Sequence, residues 1–189
     1  MPPKAKFTRE EIISAALDIV RADGIPALTA RSLGGKLGSS ARPIFTIFQN
    51  MEEVQQETIQ AARGLYNQYV QKGLDTPHPF KGVGTQYIRF AMEEPKLFQL
   101  LFMHEQSDIP DLSGILPQID ENYPKILKSI QTERGVSASC AQWLYRHLWI
   151  YTHGIASLCA TNMCHFTGEE ISQMITDIFV SLLKNTNER

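Results

Sequence analysis

Apolar residues recur at helical spacing along almost the whole 189-residue chain, while the period-two alternation of a half-buried strand is nearly missing. That alone restricts the fold class to all-α. The helices are also punctuated. Thr8 with Glu11, Asn50 with Glu53 and Thr167 with Glu170 each set a capping side chain three residues before a glutamate. This reciprocal arrangement satisfies two of the orphan amides at a helix start. Helices are expected over about residues 9–23, 30–37, 41–48, 51–72, 80–94, 95–104, 113–133, 137–162 and 168–185. Gly24 and Gly38 act as breakers, and Pro95, Pro110, Pro117 and Pro124 mark starts and kinks.

The N-terminal pattern is more specific. Two short helices joined by a glycine-containing turn and packed on a longer first helix follow the helix-turn-helix plan. There the second short helix enters the major groove of DNA with its N-terminal residues against base edges. With Ser40 as N-cap, Ala41, Arg42 and Pro43 fill the first helical turn, where a proline costs little because its amide has no intrahelical partner. Ile44, Phe45 and Phe48 are expected to dock that helix on the head, leaving Arg42 to reach a guanine edge or a phosphate. Gly34 and Gly35 are costly inside a helix, so they are expected to allow close packing against the first helix. A helical hairpin with no ligand is the other reading of the same pattern.

Charge supports a polyanion partner for the head. Residues 1–50 hold seven Lys or Arg against four Asp or Glu, a net +3, so the remainder carries −5 of the chain's −2. The basic start is expected either to be solvated or to lie in a minor groove. Three cysteines, Cys140, Cys159 and Cys164, lack a framework spacing and point to a reducing compartment. No apolar run follows the basic "MPPKAK", and the longest one, "WLYRHLWIYTHGIASLCA", is broken by Arg146, His147 and His153. A cytoplasmic protein with no membrane partner is expected.

Residues 8–54 resemble the N-terminal domain of the TetR family of transcriptional regulators. The resemblance is carried by "TREEIISAALDIVRADG", "LTARSLGGKLGSS" and "IFTIFQNMEEV". It implies an N-terminal helix-turn-helix DNA-binding domain, residues 1–50, and a larger helical ligand-binding and dimerisation domain, residues 51–189. It further implies double-stranded DNA as partner, read by Ser39, Ser40, Ala41, Arg42 and Thr46, with Thr29, Arg31, Lys36 and Gln49 on phosphates. Three positions depart from the family pattern: Phe45 replaces the usual tyrosine, Ile47 a polar residue and Met51 a lysine. Fewer phosphate contacts follow, unless Lys4, Lys6, Arg9, Arg31 and Lys36 compensate. A dimeric small-molecule-binding or adaptor protein with weakened DNA affinity is therefore the alternative to an effector-responsive repressor.

In the body, "YIRFAMEEPKLFQLLF" and "WIYTHGIASL" are similar to a TetR subgroup whose C-terminal domain carries Trp, His and Gly, here Trp149, His153 and Gly154. The final helix shows an apolar stripe along its length, and the helix before it is apolar nearly all round. In TetR-like proteins these two helices form a homodimer interface. Ile155, Leu158, Ile171, Ile175, Ile178, Phe179 and Leu182 are the candidates, with Gly154 allowing close approach. A twofold dimer presents two reading helices to a near-palindrome. Tyr66, Tyr87, Phe90, Phe102, Met103, Trp143, His147 and Tyr151 are candidates for an unidentified small-molecule effector, although aromatics at helical spacing more often build core. The linker "GLDTPHP" is the expected hinge between head and body.

No catalytic set is found. There is no Gly-rich phosphate loop and no Ser/His/Asp or Cys/His constellation, and the carboxylate pairs Glu52/Glu53, Glu93/Glu94 and Glu169/Glu170 sit at helix ends where capping explains them. Cys159, Cys164 and His165 are spaced to scatter around a helix, so no metal and no cofactor is expected.

Overall fold

A computed structural model describes residues 6–104 and 111–186. The described residues form nine α-helices and two short 3₁₀ segments: α1 (Arg9–Asp23), α2 (Ala30–Lys36), α3 (Met51–Leu74), α4 (Pro79–Glu93), α5 (Pro95–Phe102), α6 (Leu112–Ile119), α7 (Tyr123–Arg134), α8 (Ala138–Ala160) and α9 (Gly168–Thr186), with 3₁₀ turns at Ile25–Ala27 and Ile44–Thr46. Lys4 and Pro110, singled out in the sequence, lie outside the described residues.

The capping boxes form as the local sequence requires. Thr8 accepts from the Glu11 amide while Glu11 accepts from the Thr8 amide, and Thr167 and Glu170 repeat the exchange. Asn50 caps the Glu53 amide, but the Glu53 carboxylate reaches past Asn50 to the Gln49 amide at 2.6 Å. Thr29 also caps α2 in a reciprocal pair with Ser32.

The helices gather into two compact units. The first comprises the described residues up to Tyr66 together with Glu94–His104, and the second comprises Asn67–Glu93 with the described part of 105–189. The first unit therefore takes in more than residues 1–50. α5 packs on α1 through the buried Leu97, Phe98 and Leu101, and Arg21 of α1 reaches the Glu94 carboxylate at 2.6 Å. Its core is completed by Ile12, Ala16 and Val20 of α1, Leu33 of α2, and Val54 and Ala62 of α3. Each of the larger side chains contributes about 1.5–3 kcal/mol on leaving water, and each alanine methyl about 0.8 kcal/mol.

In the second unit α8 is central, packed against α4, α6, α7 and α9. Two expectations are corrected here. The span 113–133 is two helices, because Asp120 adopts an extended backbone and receives the Asn122 amide at 2.8 Å. Both side chains are buried, and Asn122 accepts from Gln71 of α3 at 3.0 Å. A polar node that must meet its partners wins over helix continuity. Residues 73–79 are also not a hinge between the units. They lie inside the second unit, where Gly73 is pressed on α4 so closely that a Cβ there would sit 2.6–2.7 Å from backbone atoms of Gly82 and Val83. Among the described residues, no helix is long and apolar enough to cross a membrane.

Candidate nucleic-acid interface

The expected second short helix, 41–48, does not form an α-helix. After α2 the chain turns at Gly38, whose φ of +61° suits glycine, and runs through turns at Ser39–Pro43 into the 3₁₀ segment Ile44–Thr46. The Ile44 amide donates to Ala41 O at 3.1 Å, Thr46 to Pro43 O at 3.3 Å and Ile47 to Ile44 O at 3.0 Å, all i→i−3 bonds. Only Phe48 reaches back four residues, to Ile44 O at 3.0 Å. Ser40 therefore caps no helix, and Pro43, with φ −61° and ψ −29°, opens the 3₁₀ turn instead. The Thr46 hydroxyl donates to Pro43 O at 2.6 Å and tightens the turn. Contacts from α2 and from Arg9, rather than the proline, hold the segment in this tighter path.

The turn is held on the head by close contact and by charge. Gly34 faces it: a Cβ there would lie 2.9 Å from Ser40 C, 3.0 Å from Ala41 N and 3.2 Å from Ser39 O. The glycine expected to pack against the first helix thus serves the turn, while Gly35 faces open space. Ile44 and Phe48 are fully buried, but Phe45 is 44% exposed, so only two of the three expected docking residues dock. The far end is fixed by Arg9. Its guanidinium pairs with Glu53 at 2.5 Å and with Glu57, donates to Ile47 O at 3.4 Å and covers the Phe48 ring at 4.4 Å. Hydrogen bonds from the Gln49 amide and then from Arg9 hold the Glu53 carboxyl below the usual carboxylate range, and the two carboxylates raise Arg9. Arg9 is thus a structural cation. The signal available in the sequence was Glu53 and Glu57 one turn apart on α3, facing a single arginine at the start of α1.

The remaining reading candidates fall as follows. Ser40, Arg42, Thr46 and Gln49 are exposed on the turn, and Ala41 is half-buried. Ser39 accepts from Lys6 Nζ at 3.0 Å. Arg31 is exposed on α2, and Lys36 is drawn to Asp18 at 3.2 Å. Thr29 is exposed, but its hydroxyl is engaged with Ser32.

The effector candidates are divided between the units. In the first, Tyr66 packs edge-on against Phe102 at 5.0 Å, and Met103 is 42% exposed. In the second, Tyr87 meets His153 Nδ1 through its hydroxyl at 2.9 Å, and Phe90 packs edge-on against Tyr69. Burial raises the Tyr87 pKa and lowers that of His153, which favours a neutral phenol bonded to a neutral imidazole, and the imidazole also stacks on Trp149 at 4.7 Å. His147 Nδ1 donates to Trp143 O at 2.8 Å, and Tyr151 is half-buried on α8. Of these eight, Trp143 alone lines the recess of about 380 Å³ formed in the second unit with Leu116, Pro117, Tyr123, Gln142 and Arg146.

Four of the seven expected dimer-face residues, Ile155, Ile171, Ile175 and Leu182, are buried within the chain's own core, with α8 and α9 in contact. An apolar stripe first covers its own neighbour, and these four side chains do so within the chain. Ile178 and Phe179 are half-buried, Phe179 beneath Arg134. Leu158 stays exposed, as do Ile150, Val180 and Gly154, which faces open space.

An all-α chain with a helix-turn-helix head and a larger helical body has the architecture of a transcriptional regulator. Residues 80–181 match the family model described as "Tetracyclin repressor-like, C-terminal domain". The fold also matches the crystal structure of a protein assigned to the TetR-family transcriptional regulators of Mesorhizobium loti MAFF303099, with a TM-score of 0.57 at 18% identity over 94% of this chain and 98% of that one. No curated protein matches the chain in sequence. The chain belongs to the TetR family of transcriptional regulators.

Proposed function

We propose that the protein is a homodimeric repressor that reads a near-palindromic operator and releases it on binding a small-molecule effector. The observation that carries this reading is the exposed face of the 39–49 turn. Arg42, Phe45, Thr46 and Gln49 point outward from a segment pinned by buried Ile44 and Phe48 and by the close approach of Gly34. In this reading Arg42 contacts a guanine edge or a phosphate, and Phe45 offers an apolar ring to a thymine methyl group where a tyrosine is usual. The outward apolar residues of α8 and α9 support a second copy as partner, with Ile150, Leu158 and Val180 around the open Gly154. Twofold pairing brings two such turns to successive half-sites.

The test is selection from random duplexes, then titration of the enriched sequence at two salt concentrations. An enriched near-palindrome is expected, with Arg42→Ala weakening binding and lowering the salt slope by about 1. Failure of the dimeric, ligand-free protein to enrich any sequence removes the reading.

A dimeric small-molecule-binding or adaptor protein with weakened DNA affinity is the second reading. One observation favours it: Arg9 and Lys36 are held by carboxylates of the head itself, which leaves fewer cations for phosphates.

A further inference from the structure

The recess between α6, α7 and α8 has an unusual lining for an acidic body. Among the described residues no Asp or Glu lines it, and the one charged group is Arg146. That guanidinium is half-buried and has no ion pair or hydrogen bond among the described residues. Arg9, Arg21 and Arg89 are each held by a carboxylate, whereas Arg146, like the exposed Arg31 and Arg42, has none among the described residues, and unlike those two it is half-buried in a recess. Beside Arg146 stand the indole of Trp143 and the ring of Tyr123, which is fixed edge-on at 5.1 Å by the buried Tyr145. Tyr123 is partly buried, which pushes its pKa up, so its hydroxyl remains a donor, and it too has no hydrogen-bond partner among the described residues. Leu116 and Pro117 form an apolar wall, and Gln142 adds an exposed amide at the rim.

Flat aromatic and proline surfaces select a planar body, while an unpaired guanidinium with a phenol donor selects an anionic end. A volume of about 380 Å³ sits at the small end of ligand sites and suits a mono- or bicyclic molecule. We propose that this recess binds a planar organic carboxylate, held by Arg146 and Tyr123 against Trp143, and that this acid is the effector. The second part rests on the reading of the protein as an effector-responsive repressor. Only an acid that binds the DNA-free arrangement more tightly can release DNA.

The experiment titrates the full-length protein by calorimetry with indole-3-acetate and 2-naphthoate, each against its uncharged primary amide. Each acid is expected to bind about tenfold or more tightly than its amide. Arg146→Gln erases that preference without moving the unfolding temperature, and Arg146→Lys keeps part of it. Equal binding of acid and amide, a preference that persists in Arg146→Gln, or no binding of either acid overturns the inference, whatever the protein does with DNA. The same acids are then added to the protein on its enriched duplex. Release by acid from the wild type but not from Arg146→Gln supports both parts. Binding at Arg146 with no effect on DNA keeps the site and overturns its effector role, and binding at Arg146 by a protein that enriches no duplex overturns the repressor reading.

Discussion

Gly34 and Gly35 are neighbours inside α2, yet the structure assigns them opposite responses to the same change. Replacing a helix-interior glycine by alanine relieves about 1 kcal/mol of conformational cost. At Gly35, where an added Cβ meets nothing within 4 Å, that gain stands alone. At Gly34 the new methyl would lie 2.9, 3.0 and 3.2 Å from Ser40 C, Ala41 N and Ser39 O, all backbone atoms of the turn. These cannot swing aside as the end of a long side chain does, so the cost is that of overpacking, about 1–3 kcal/mol. Gly35→Ala should therefore stabilise by up to about 1 kcal/mol, while Gly34→Ala should be neutral to destabilising by about 2 kcal/mol. Propensity cancels in the comparison, and the difference between the two variants measures the contact itself. Urea and thermal unfolding read it directly, at roughly 2–4 °C per kcal/mol for a chain of this size. Gly34→Ala should also weaken operator binding beyond its effect on stability, because relieving the clash moves the reading turn. Equal stability of the two variants, within about 0.5 kcal/mol, would refute the close approach of α2 to the turn.

Adjacent residues of the reading turn should differ just as sharply: Ile44→Ala, at a fully buried site, should cost about 2–5 kcal/mol, whereas Phe45→Tyr should stay within about 0.5 kcal/mol of the wild type in urea unfolding. Restoring the phenol at residue 45 should tighten DNA binding if the hydroxyl finds a phosphate, which a titration at fixed salt measures. Gly73→Ala, with its Cβ 2.6–2.7 Å from the Gly82–Val83 backbone, should lower the unfolding temperature, and an unchanged value would mean that α3 and α4 are not in contact there. Burial lowers the His153 pKa below its ordinary 6.5, so the folded protein binds this proton less readily than the unfolded chain. Its contribution is complete above about pH 6.5 and is lost as pH falls through the lower folded value. The urea midpoint should fall between pH 7 and pH 5, and His153→Asn, which keeps an acceptor for the Tyr87 hydroxyl, should remove that part of the fall. A variant with the full wild-type pH dependence would clear His153.

Most helix starts were legible because an N-cap is a local event. Thr8, Thr29, Asn50 and Thr167 find their amide partners three residues away whatever the rest of the chain does. The class of fold follows from the same local spacing, as does the presence of a turn after Gly38, while the family rested on resemblance. The form of that turn was settled elsewhere. Residues 41–48 have helical spacing, but Gly34 beneath Ser39–Ala41 and Arg9 above Ile47 and Phe48 hold them in a tighter 3₁₀ path, buried at Ile44 and open at Phe45. Periodicity likewise marked α8 and α9 as apolar but was silent on which stripe each spends on the other. Only their packing decided that Ile155, Ile171, Ile175 and Leu182 turn inward and that Ile150, Leu158 and Val180 stay exposed. Arg9 and Arg146 show the difference most plainly. Both are half-exposed arginines on helices, and although Glu53 and Glu57 stand one turn apart in the sequence, nothing local says which arginine they take. Arg9 is neutralised by Glu53 and Glu57 from a helix more than forty residues away in the chain, while among the described residues nothing acidic lines the recess beside Arg146. Which charges remain available for DNA or for a ligand is a property of distances across the fold, because an ion pair forms wherever opposite charges are brought within a few ångströms, regardless of their separation along the chain.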